Sequence, residues 1–216
     1  MRKGDFLWLL VLLAIAAFLV VPVTQDMFVA STKAHPYLIG FAKFFVLATM
    51  GELLALRIVT GGWVLPRALL QRAIIWGFLG MTIVLIFDVF AGGVMGALRK
   101  GLLPGADSRL AFAFFVSTIM NLTFAPAMML THRMTDTYLD LKYEGKETAV
   151  ADIVARIDWQ GFVSFVLLKT IPCFWIPAHT ITFLLPPEYR VLAAALLSIA
   201  LGAILAFAKK KSPAKA

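Results

Sequence analysis

The chain has 216 residues, of which 61% are hydrophobic and 15% charged, with a net charge of +8. Its mean hydropathy of +0.89 excludes a soluble globular domain. The basic residues lie at chain ends and between apolar runs, with no basic face interleaved with aromatics, which excludes nucleic acid as a partner and points to a lipid bilayer.

Arg2 and Lys3 precede an apolar run from Phe6 to Val23. No small-x-small cleavage site interrupts it before Thr24, so it reads as a first helix or uncleaved anchor, followed by a loop to residue 33. A second helix is expected over Pro36–Leu56, ending near Arg57 and Gly61-Gly62. A third covers Leu69–Leu98, where Gly77, Gly80, Gly92, Gly93 and Gly96 mark close helix packing. After a loop holding Leu103-Pro104-Gly105, a fourth runs from Leu110 to Leu130. The polar region 132–158 reads in part as an amphipathic surface helix, because Ala149, Ile153 and Ile157 recur at helical spacing.

The fifth apolar segment, Asp158–Arg190, is unlike the others. It carries Lys169, His179 and the prolines Pro172, Pro177, Pro186 and Pro187. Each internal proline removes a backbone donor, so a kink or break is expected near Pro172 and Pro177. Hydrocarbon tolerates one only where protein or a watery cavity satisfies the freed groups. A sixth helix, Tyr189–Phe207, leads to a basic tail over 208–216. Cys173, the single cysteine, excludes an intrachain disulfide and a cysteine metal cluster, and reads as a small buried hydrophobe.

Orientation follows from lysine and arginine. With six crossings the side of the N-terminus holds thirteen of them and the other side five (Lys33, Arg99, Lys100, Arg109, Arg190), Lys43 and Lys169 lying within spans. Without the fifth crossing the division is nine to nine, so the bias favours six spans with both termini cytoplasmic, or in the matrix of an organelle. Trp8, Trp63 and Trp159 fall near span ends, as interfacial anchors do.

Five ionisable residues fall within spans: Lys43, Glu52, Asp88, Lys169 and His179. Charges at bilayer depth are costly, so these face the bundle interior, to hold helices in register or to line a solute pathway, or else they mark span ends that lie near the interface. Lys43 and Glu52, nine residues apart, point to opposite sides of their helix. Asp88 is expected to pair with one of the lysines, and Glu52 to sit beside Arg57 or another basic group. Lone His179 has no carboxylate at ligand spacing and reads as a hydrogen-bonded helix histidine; no metal site and no cofactor are expected. Asn121, Thr123, Thr170, Thr180 and Thr182 are candidates for interhelical hydrogen bonds. No hydrolase, kinase or dinucleotide motif is present, and no enzyme activity is expected.

Three patches together resemble a family. His35-Pro36 with Gly51-Glu52, then Asn121 with Phe124-Ala125-Pro126, then Trp175, Pro177, His179, Thr182-Phe183 and Arg190, follow in order the Pro, Gly-Asp, Asp-Gln-x-x-Phe-Ala-Pro, Trp-Pro, Gln, Asn-Phe and Arg pattern of one family. It is the Mpv-seventeen and peroxisomal membrane protein twenty-two family of eukaryotic organelle membranes. Departures include Met81 for a proline, Met120 for an acid, His179 for Gln and Thr182 for Asn. The likeness covers about residues 34–190, which marks a distant, prokaryotic-type relative with an extra N-terminal helix. It implies an integral protein with pore-like behaviour in metabolite or redox homeostasis.

The expectation is an all-α, polytopic transmembrane bundle of about six spans, one of them proline-broken, forming a single membrane domain over 1–216. Its function is expected to be a channel or conduit for small solutes or ions in a prokaryotic inner membrane, otherwise an organelle membrane. Lys43, Glu52, Asp88, Asn121, Lys169 and His179 form its polar interior. The alternative is a non-conducting scaffold or lipid-interacting protein, and either is compatible with a homo-oligomer.

Overall fold

A computed structural model describes residues 2–211, the side chains of Leu205 and of 208–211 excepted. The basic tail 208–216 therefore lies largely outside the described residues. The chain is all-helical there: α1 Lys3–Val20, α2 Pro22–Ala34, α3 Pro36–Thr60, α4 Leu69–Arg99, α5 Arg109–Glu144, α6 Val150–Arg156, α7 Trp159–Gly161, a π-helical segment Phe162–Trp175, α8 Ile176–Leu184 and α9 Pro187–Lys211. Six stretches are long and apolar enough to cross a bilayer: α1, α3, α4, α5, the α7–π–α8 unit and α9. The chain is a polytopic integral membrane protein.

Local chemistry sets the boundaries. Val21 and His35 each precede a proline that opens the next helix, where its missing donor costs nothing. Ser108 caps α5 by accepting from Ala111 N at 3.2 Å. Gly61 and Gly145 end α3 and α5 in the left-handed conformation, at φ of 72° and 71°.

Two expectations about elements change, and a third, the partial surface helix, holds over a short stretch. The connection after the first span is a helix, α2, rather than a loop. The fourth span does not stop at Leu130. It continues to Glu144, because nothing between these positions breaks a helix before Gly145. Of the polar segment 132–158, only Val150–Arg156 forms a separate surface helix, and its Ile153, with Ile157 just beyond its end, packs on Leu141. In the fifth span the proline interruption takes a particular form. Pro172 lies inside the π-helical turns and Pro177 near the start of α8. Widened i→i+5 turns absorb the missing donors without ending the helix, so the span runs 26 residues from Trp159 to Leu184.

The core forms where α3 packs on α4 and α9, and α5 on α8. It contains Phe44, Leu47, Ile83, Phe87, Val116, Met120, Phe183, Ala195 and Ile199. Close approach depends on particular glycines. A Cβ on Gly80 would sit 2.5 Å from the Gly40 carbonyl oxygen, and one on Gly51 3.2 Å from the backbone of Ile199. Gly77 packs under Phe41, but Gly92, Gly93 and Gly96 have open space around them, so only the first two of the five glycines serve close packing.

α1 buries none of its residues. Trp8, Leu12, Ile15 and Leu19 pack half-buried against the core, and polar contacts add to them. The Asp5 carboxylate accepts from Arg57 Nε at 2.8 Å and Nη2 at 3.0 Å, and from Trp63 Nε1 at 2.8 Å. Trp8 Nε1 donates to the Met50 carbonyl at 3.1 Å.

Candidate functional site

Two cavities lie in the bundle, at opposite ends of the same helices. The first, about 320 Å³, takes residues 44–55 of α3, 76–87 of α4 and 194–202 of α9. The second, about 360 Å³, takes residues 36–43 of α3, 84–91 of α4 and 187–191 of α9. α4 runs antiparallel to α3 and α9, so all three helices place the cavities at opposite ends of the bundle. Phe87 is the one residue that lines both. Its ring packs on Phe183 at 4.9 Å and edge-on to His179 at 5.6 Å, and it is buried.

The walls of the first cavity are largely aromatic and aliphatic, including Phe44, Trp76, Phe124, Met128, Phe162 and Trp175. Polar groups enter at two levels. Deeper in, Asn121 is fully buried, and its Nδ2 donates to the Ser117 carbonyl at 2.8 Å and lies 3.0 Å from His179 Nδ1. Nearer the end of the bundle, Glu52 of α3 faces His132 and Asp136 of α5. Glu52 Oε1 accepts from Trp76 Nε1 at 2.7 Å, and the Trp76 ring lies against the His132 imidazole at 4.1 Å between centroids. Asp136 Oδ1 is ion-paired with Arg72 at 2.8 Å, without the alignment of a hydrogen bond. Arg72 also donates to Asp140 at 2.6 Å.

The second cavity is more highly charged. Lys43 is buried, donates to Thr32 Oγ1 at 3.2 Å and stands over the Phe28 ring at 4.5 Å. At the mouth Lys33 pairs with Glu188 at 3.1 Å, and Arg190 faces the rings of Phe183 and Phe112.

Of the six residues expected in the interior, Glu52, Asn121 and His179 meet in the first cavity and Lys43 lines the second, while Asp88 borders the second but is exposed, not interior. Lys169 belongs to neither. It is exposed on the outside of the fifth span. The π-helical turns explain this: the inward residues there are Phe162, Val166, Thr170, Trp175 and His179, a recurrence of four to five that leaves position 169 off the face. The expected partner of Asp88 is also absent: among the described residues it makes no ion pair, and Lys43 bonds to Thr32 instead. Arg57 is taken by Asp5, so the basic neighbour of Glu52 is His132, 3.7 Å away. Cys173 is exposed, not buried.

The family-pattern residues distribute in the same way. Gly51, Glu52, Phe124 and Trp175 line the first cavity and Pro36 and Arg190 the second. Pro126 lies inside α5, Pro177 near the start of α8, and Phe183 in the core. His132, Asp136 and Trp76 escaped the sequence reading. An i,i+4 His–Asp pair was visible in it, but only a helix continuing past Leu130 places both on one face.

No family model, curated protein or solved structure matches this chain.

Proposed function

We propose that the protein is a gated conduit for small solutes or ions, caught closed at Phe87. The observation that carries this reading is a pair of cavities at opposite ends of one bundle, each with charged or polar groups in its lining and with buried Phe87 common to both. Hydrophobic constrictions of this kind gate by excluding water, and rings of side chains on either side set selectivity. Glu52, His132 and Asp136 would guard one vestibule, and Lys43, Asp88 and Arg190 the other. Membership in the Mpv-seventeen and peroxisomal membrane protein twenty-two family is part of the proposal, as are transport rather than catalysis and a membrane position with both termini cytoplasmic.

The test is small-solute efflux and conductance in liposomes carrying the purified protein. Removing the barrier with Phe87→Ala should raise flux at least about tenfold over the parent. Glu52→Gln and Lys43→Met should change selectivity or rate, and Lys169→Met should change neither. Vesicles that stay tight with both the parent and Phe87→Ala would overturn the reading.

A second reading rests on the lining of the first cavity. Its aromatic and methionine walls, with a polar group at one end, suit an amphipathic lipid-like molecule held without passage. Lipid co-purifying in stoichiometric amount with a protein that conducts nothing would favour it.

A further inference from the structure

Glu52, His132 and Asp136 have a geometry that neither a conduit nor a scaffold needs. One donor atom from each lies within 4.8 Å of the others. His132 Nε2 is 3.7 Å from Glu52 Oε1 and 3.5 Å from Asp136 Oδ2. These separations are too long for hydrogen bonds. They fit three ligands around a metal: bonds of about 2.0–2.1 Å at tetrahedral angles set ligand atoms roughly 3.3–3.4 Å apart. The two separations from His132 need a contraction of only a few tenths of an ångström, and the two carboxylates, within 4.8 Å of each other, would close on the ion by side-chain rotation.

The surroundings hold these groups in place. Trp76 Nε1 fixes Glu52, whose oxygens keep lone pairs to spare. Arg72 holds Asp136 through Oδ1 and leaves Oδ2 turned toward the histidine. Such outer contacts orient first ligands in metal sites. His132 is committed to nothing else, since its Nδ1 is buried without a partner. A second imidazole reaches the same cavity from the fifth span. His179 is 8% exposed, its Nδ1 is engaged by Asn121, and its Nε2 has no hydrogen bond among the described residues.

We propose that Glu52, His132 and Asp136 form a site for a divalent transition cation of the zinc type, with its fourth position open to the first cavity. One imidazole nitrogen and two carboxylate oxygens suit zinc and its first-row neighbours better than calcium or magnesium, which take oxygen ligands in greater number. Three protein ligands and one free position are the arrangement of zinc centres that exchange a ligand, as opposed to closed structural ones. The inference stands whether or not the cavity conducts.

The test uses full-length protein in detergent, without a polyhistidine tag, stripped with a chelator and titrated with Co²⁺ and then Zn²⁺. The parent should bind one ion per chain, with the intense visible absorption of four-coordinate Co²⁺ that Zn²⁺ displaces. His132→Ala should weaken binding by more than about 100-fold, and Glu52→Gln, which keeps an acceptor for Trp76, by at least tenfold. His35→Ala should bind like the parent. The parent should also melt at a higher temperature with Zn²⁺ than without, and Glu52→Gln should lose that shift. Absence of stoichiometric binding, or equal affinity in parent and Glu52→Gln, would overturn the site even if His132→Ala fails to fold.

Discussion

Gly80 and Asn121 show how much of this bundle rests on single side chains. Gly80 lets α4 approach the backbone of α3, and a methyl group there has nowhere to go because the obstacle is a carbonyl oxygen. Gly80→Ala should therefore lose about 1–3 kcal/mol through forced separation of the helices, read as a lower denaturation midpoint in detergent. Gly92→Ala and Gly93→Ala meet no atom within 4 Å and should leave that midpoint unchanged or raise it. Asn121 is buried between Ser117 and His179. Asn121→Leu removes its bonds and strands the imidazole, which should cost about 1–3 kcal/mol, measured in the same way. Part of this was legible beforehand. An acid within a span has to turn inward, and Glu52 does. Which glycines touch a neighbour depends on where helices cross, and one chain's pattern does not encode crossing points.

Among the elements, the fifth span departs furthest from its sequence pattern. Its apolar length announced a crossing and its prolines an interruption, and both are present. The facing of its side chains was illegible, because an expectation built on 3.6 residues per turn fails in wider turns. Lys169 is the consequence: read as interior, it lies outside. Because it removes a charge from the lipid-facing side of a span, Lys169→Leu should leave stability unchanged or raise it. In a spin-label scan, labels at 169 should be relaxed by oxygen dissolved in lipid and those at 170 should be shielded. Equal protection of the two would return Lys169 to the interior and count against the π-helical facing. The fourth span teaches the complementary lesson. Polarity after Leu130 looked like an ending, yet with no glycine or proline before Gly145 α5 continues, and with it the approach of His132 and Asp136 to Glu52 of α3.

For the molecule as a whole, six apolar stretches of sufficient length were plain from hydropathy, since the bilayer imposes a length and forbids unsatisfied backbone. Sidedness is the matching prediction. From the excess of lysine and arginine on one set of connections, both ends of the chain are expected on the cytoplasmic side. Reporters fused to either terminus should score alike, and one in the Arg99–Arg109 loop opposite. The two cavities and the place of Phe87 in both were not legible, because they arise from how three helices pack together.

The length of α5 has a mechanical meaning. Its 36 residues rise about 54 Å at roughly 1.5 Å each, against about 30 Å of hydrocarbon. Nearly half of it therefore stands in the polar layer or in water, rigidly joined to the part that carries Asn121. A load applied around Tyr138 to Glu144 would reach the cavity residues along one continuous helix, in which Pro126 is the one proline.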